Sequence, residues 1–344
     1  MRKEVLAVGC ALMVFCGCGK NNAAQHYESG WAAMEKKDYT TAANEFQQVI
    51  DQNSRLAESY RAEGIAYYSE KAYPEAIAAF SRSLNNMDDP DKDFKKDVQF
   101  YLAQARMDYG EVDKAIEVYS EILKAGEDEQ AFFLRGKAYI SMEDYKNAEK
   151  DFQRALEGCE DYNLYINIYQ IYVDHNKAVD GDAYLKMALE LEPQDGEDCY
   201  HRGRIYEYEK NYEAARDELK TAMEQGYEDA MLLLGRVYLE MEDPASARSM
   251  YQEYLQKSEQ GAKAYNGLAM CDIYDGAYDS ALENIAQGLK ENSKEDEQGL
   301  LYNEIVAYEY KRDFATAKEK MKIYLEQYPE DEAALRENEF LSTR

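Results

Sequence analysis

Small and apolar residues recur along this chain with a helical spacing that restarts about every 34 residues. Gly64, Gly136, Gly203 and Gly235 each stand three before a tyrosine (Tyr67, Tyr139, Tyr206 and Tyr238) and twelve before an alanine (Ala76, Ala148, Ala215 and Ala247). Gly30 and Ala42 extend the pattern towards the front. The same register then adds Ala103 with Ala115, Tyr169 with Gly181, Ala269 with Ala281, and Ile305 with Ala317. The nine second anchors are separated by 34, 39, 33, 33, 34, 32, 34 and 36 residues. Four beyond each stand Phe46, Phe80, Tyr119, Phe152, Leu185, Leu219, Tyr251, Ile285 and Met321; eight beyond, the series Ile50, Leu84, Leu123, Leu156, Leu189, Met223, Leu255, Leu289 and Leu325 is also wholly apolar. Positions 0, +4 and +8 lie on one stripe of an α-helix, so each repeat holds a helix that buries this stripe.

The two anchors predict a pair of helices crossing at close range, where a large side chain would push them apart. Between them, Asp38-Tyr39, Asp144-Tyr145, Asn211-Tyr212 and Ala277-Tyr278 mark a turn, and the polar first member of the first three suits the N-cap of the second helix. Pro244 fits the first turn of such a helix. Asp180-Gly181-Asp182 is expected to distort the second helix of the fifth repeat, and the polar stretch 85–93 around Pro90 is the expected hinge. Residues 332–341, after Pro329, read as one more helix, with Ala333, Leu335, Phe340 and Leu341 among polar neighbours.

With these residues in place, residues 25–328 resemble a tetratricopeptide repeat (TPR) array. The resemblance implies an all-α, right-handed helical solenoid of about nine helix-turn-helix repeats, closed by a capping helix at 329–344. Arg106 and Asp272, which replace the first-helix aromatic, and Tyr169, Gly181 and Ile305 at the anchors depart from the pattern. In the family, the first helices line a groove that receives peptides or protein segments. The register places Trp31, Arg61, Phe100, Phe133, Lys137, Arg204 and Arg236 on or near that face, with Tyr68, Asn167, Gln170, Asn266, Tyr302 and Tyr310. Aromatic and Arg side chains are effective anchors for extended ligands. Tyrosine is abundant, however, with 32 residues, and many rings serve only to seal neighbouring repeats.

The amino terminus carries a different signal. Arg2-Lys3 precedes the apolar run Val5 to Phe15, which has the length of a signal-peptide core and is too short to span a bilayer. Cys16-Gly17-Cys18-Gly19-Lys20 follows and resembles a bacterial lipobox, although Phe15 stands where leucine is usual. The resemblance implies a signal peptide at 1–17, lipidation at Cys18, a tether at 18–24 and a position on the extracytoplasmic side of the cell membrane.

Composition narrows the function classes. The net charge is -29 and becomes -30 without the first 17 residues, which makes nucleic acid an unfavourable partner. Cys159, Cys199 and Cys271 are odd in number and scattered, so they suggest no disulfide framework. The only histidines are His26, His175 and His201, no nucleophile elbow or phosphate loop is present, and no cofactor or metal motif appears. The expectation is a non-enzymatic, membrane-anchored adaptor for envelope or secreted proteins or peptides. The alternative is an extracytoplasmic binder of glycans or peptides, using the groove aromatics as stacking platforms.

Overall fold

The computed structural model describes residues 22–87 and 91–344, and these form nineteen α-helices joined by short turns, with no strand among them. Eighteen helices make nine consecutive pairs. They are α1 Asn22–Glu35 with α2 Tyr39–Asp51, α3 Leu56–Ser69 with α4 Tyr73–Asn85, α5 Lys92–Tyr109 with α6 Val112–Ala125, α7 Glu129–Ser141 with α8 Tyr145–Ala155, and α9 Tyr162–Asp174 with α10 Ala178–Leu189. Then follow α11 Gly196–Tyr208 with α12 Tyr212–Glu224, α13 Ala230–Glu240 with α14 Pro244–Lys257, α15 Ala262–Tyr274 with α16 Tyr278–Lys290, and α17 Glu297–Tyr310 with α18 Phe314–Gln327; α19, Glu332–Ser342, stands last. The signal segment and Cys18 lie outside the described residues, as do 88–90 of the expected hinge. No described helix is long and apolar enough to cross a membrane.

The close crossing inside a pair has an atomic cause. A Cβ on Gly30, Gly64, Gly136, Gly203 or Gly235 would stand 2.5–2.7 Å from the side chain sixteen residues later, which is Phe46, Phe80, Phe152, Leu219 or Tyr251. The second-helix ring or branched chain fills the place of the missing side chain. Phe46, Phe80 and Phe152 are fully buried there, and burial of such a side chain is worth roughly 2–3 kcal/mol.

The fifth pair reverses this arrangement. A Cβ on Gly181 of the second helix would stand 3.0 Å from both Tyr169 and Tyr172 of the first. Small and large partners have exchanged helices, and α10 runs unbroken through Gly181 instead of showing the expected distortion. In the eighth pair, Asp272 takes the place of the ring. It is buried, accepting from Arg248 Nη1 and Asn284 Nδ2 at 2.7 Å each, and Arg248 also donates to Asp275 at 2.9 Å. A buried carboxylate is tolerated because it is paired.

Each pair turns in the same way. Five residues before the second anchor, the backbone is left-handed at Lys37, Lys71, Gly110, Glu143, Asn176, Lys210, Glu242, Gly276 and Arg312. The next residue donates its N–H to the carbonyl five back, for example Asp38 to Ala33, Asp144 to Tyr139 and Asp313 to Tyr308, which closes the first helix in a Schellman motif. That same residue opens the second helix. The side chains of Asp38, Asp144, Asn211, Asp243 and Asp313 accept from the backbone N–H three residues on.

The described chain divides into two compact bodies, one ending at Asp182 and one beginning at Ala183, so the division falls within α10. In the N-terminal body, Phe80, Leu102, Tyr119 and Ile122 belong to one apolar cluster, and Ala33, Phe46 and Ala66 to another. In the C-terminal body, successive clusters centre on Leu219 and Leu234, Tyr251 and Leu268, Ile285 and Leu300, and Met321 and Tyr324. The last of these also takes in Ala334 and Leu341 of α19.

Candidate functional site

All the groove candidates except Arg61 and Tyr68 of α3, Trp31 of α1 and Phe100 of α5 fall on α7 or later first helices, and none falls on a second helix. In the N-terminal body, Trp31 packs edge-on against Tyr27 and Phe46, with centroids 6.3 and 5.5 Å away, so most of its ring serves the core. The Arg61 guanidinium is ion-paired with Asp97 and lies 5.3 Å from the Tyr101 ring centre. Phe100 packs against Tyr119. Lys137 projects from α7 and is exposed. Phe133 lines an open cavity of about 400 Å³ with Asp128, Glu129, Gln130 and Leu164.

The C-terminal body holds the better-formed site. Two cavities, of about 460 and 370 Å³, share Tyr200, Asp229 and Lys263 in their walls. The smaller is a groove across first helices: Tyr200 comes from α11, Leu232 and Arg236 from α13, and Asn266 and Met270 from α15. Its floor is Tyr251, whose ring lies beneath Gly235 and Gly267; a Cβ at either glycine would overlap it. Burial pushes the Tyr251 hydroxyl well above the usual phenol range, so it stays neutral. Asn303 Nδ2 of α17 donates to Asn266 Oδ1 at 2.7 Å. This bond orients the Asn266 amide within the groove wall. Met270 is 44% exposed, an unusual position for a long apolar side chain.

The larger cavity opens beside it, between Tyr200 and Tyr254, and its charged lining is Asp229, Glu291, Glu295 and Asp296 with Lys263. Lys263 Nζ stands 3.7 Å from Glu295 and 3.8 Å from Asp296.

Among the sequence-derived candidates of this body, Arg236 lines the groove, but its guanidinium is bonded to Glu207 at 2.6 Å. Arg204 stands against the Tyr200 ring, 5.9 Å from its centre, and contacts His201 Nδ1 at 3.2 Å. Arg61, Arg204 and Arg236 are therefore all engaged with groups of the chain itself. Tyr200 and Leu232 were not among those candidates, although they stand three before the first anchor, as Arg61, Phe100 and Phe133 do. Met270 stands one after the anchor, in the register of Trp31, Lys137, Arg204 and Arg236. The register carried the signal for all three.

Family models described as tetratricopeptide repeat match residues 27–91, 129–161, 200–262 and 232–297, together more than half of the sequence. The chain is a tetratricopeptide repeat protein. No curated protein sequence matches it. Similar solved structures include a tetratricopeptide repeat protein from Parabacteroides merdae, 16% identical over 83% of this chain and 99% of that one, with a TM-score of 0.45. YrrB, described as a TPR protein with an unusual peptide-binding site, is 26% identical over 55% of this repeat protein and 97% of its own chain, at 0.36. Pseudomonas aeruginosa pilF is 18% identical over 63% and 97% of the respective chains, at 0.42.

Proposed function

We propose that this protein is a membrane-tethered adaptor that holds segments of other proteins in the first-helix groove of its C-terminal body. The repeat fold supports a protein-interaction scaffold, since proteins of this family bind other proteins or peptides. The observation that carries the reading is the groove itself. It has an apolar floor at Tyr251, an accessible Met270 and Leu232, and an oriented amide at Asn266, all on helices fixed by buried cores. Apolar contact with a few placed hydrogen-bonding groups is the usual chemistry of a peptide site. Catalysis has no part in this reading, and nucleic acid is disfavoured by the net charge of -29.

Tethering rests on the amino-terminal motif. A lipid on Cys18, with the polar residues that follow as a spacer, would hold the repeats outside the cytoplasm at the membrane surface.

The test is a crosslinked pull-down from membranes with the full chain and with the Leu232→Glu, Met270→Glu variant. The adaptor reading expects defined protein partners for the first, and their loss with unchanged helicity for the second. Recovery of the same proteins by both would sink the groove assignment. Recovery of no protein, alongside saturable binding to cell-wall fragments, would replace the adaptor by a glycan binder.

A further inference from the structure

The larger cavity of the C-terminal body differs in chemistry from the groove beside it. Its walls bring four carboxylates, Asp229, Glu291, Glu295 and Asp296, together with one ammonium, Lys263, around a space of about 460 Å³. The rings of Tyr200 and Tyr254 stand in the same walls. Aromatic faces and carboxylates both favour a cation and disfavour an anion. The chain's own lysine shows the preference, because its ammonium stands among Glu295 and Asp296 at 3.7 and 3.8 Å, beyond hydrogen-bond distance of either. That leaves the carboxylates in excess and with acceptor capacity to spare.

The adjoining groove adds a second requirement. Tyr200, Asp229 and Lys263 belong to both cavities, so a ligand lying along the first helices meets both. On one side of this shared wall it finds apolar Leu232, Tyr251 and Met270; on the other it finds the acidic space. We infer that the cavity lined by Tyr200, Tyr254, Asp229 and Asp296 receives a lysine or arginine side chain of the bound protein segment, while the adjoining groove takes a neighbouring apolar side chain.

The inference rests on the groove reading above and deepens it by specifying the class of segment: extended, basic and apolar in close succession. It is the opposite of the carboxylate-bearing segment that Arg204 and Arg236 alone would attract. Arg236 and Lys263 have carboxylate neighbours of their own, Glu207 for the first and Glu295 with Asp296 for the second. A segment rich in carboxylates would face Asp229, Glu291, Glu295 and Asp296 with no surplus of positive charge to offset them.

The experiment uses the full chain, immobilised and exposed to a degenerate library of acetylated, amidated nonapeptides whose bound pool is sequenced. A second arm uses the Glu291→Gln, Glu295→Gln variant, whose two positions are exposed and line only the acidic cavity, with circular dichroism as the folding control. The expected result is enrichment of lysine or arginine beside leucine, methionine or phenylalanine. In the variant, the preference for the basic residue should fall about tenfold while the apolar preference remains. A retained pool with no basic preference, or one unchanged in the variant, would overturn this inference and leave the groove reading standing. Failure to retain any peptide would remove both.

Discussion

At Gly64, one methyl group decides between two opposed effects. Replacing a helical glycine by alanine ordinarily stabilises by about 1 kcal/mol. Here, however, the new Cβ would stand 2.6 Å from the buried Phe80 ring. Gly64→Ala should therefore destabilise the protein, and Gly64→Val more so, by roughly 2–4 kcal/mol in urea unfolding. Phe80→Leu should recover part of the loss in the double variant; a stabilising Gly64→Ala would show that the helices do not meet as described. The glycine-to-aromatic pairs were legible because both members repeat in the sequence. The exchange of partners in the fifth pair was half legible: Tyr169 and Gly181 stood out as departures, but only the structure shows that one departure accommodates the other.

At the scale of the helix pair, the shared turn makes its own predictions. Seven of the nine left-handed turn residues are not glycine: Lys37, Lys71, Glu143, Asn176, Lys210, Glu242 and Arg312. Lys71→Gly or Glu143→Gly should then stabilise by about 0.5–1 kcal/mol, and Gly276→Ala should cost about 1 kcal/mol, measured by thermal or urea unfolding. Apart from Asn176, these positions were illegible because lysine, glutamate and arginine carry no turn signal; the end of each helix is set by the backbone bond to the following residue. The caps at Asp38, Asp144 and Asn211, by contrast, could be read directly, since only a short polar side chain reaches the third N–H.

Helix packing also creates a pH dependence. Burial pushes the Glu63 carboxyl on α3 up to about 7, with Arg82 partly opposing and Asp51 reinforcing the shift. Its folded pKa therefore exceeds its unfolded one, so the native state binds more protons and the stabilisation is complete below about pH 4.5. It is lost as pH rises through about 7. Burial also raises Glu309 on α17, which has the Glu337 carboxyl of α19 against it and one buried oxygen without a hydrogen-bond donor. Glu63→Gln should flatten the fall in thermal midpoint between pH 5 and 8 and raise the midpoint at pH 8, by an effect on the order of 2 kcal/mol. An unchanged slope would place the titration elsewhere.

For the whole molecule, the number and pairing of helices followed from one period in the sequence, whereas the binding surface did not. Tyr200, Asp229, Lys263 and Asp296 belong to four different first helices or their entries and approach one another only when these are packed side by side. Their charges look unremarkable in a chain with 69 acidic residues. The division within α10 falls directly after Asp180-Gly181-Asp182, the stretch that the sequence marks as irregular, and the proposed membrane tether depends on a motif outside the described helices. For that tether, Cys18→Ser should move the protein from the membrane pellet to the soluble fraction, and retention in the pellet would count against lipidation at this residue.

Under the proposed adaptor function, partner proteins occupy the first-helix groove of the C-terminal body. Site-specific photocrosslinking in intact cells tests it most directly, with the photoreactive residue at Met270 in the groove or at Gln252, exposed on the second helix α14. Discrete protein adducts are expected from position 270 and none from position 252. Equal adducts from both positions, or adducts from position 252 alone, would contradict it.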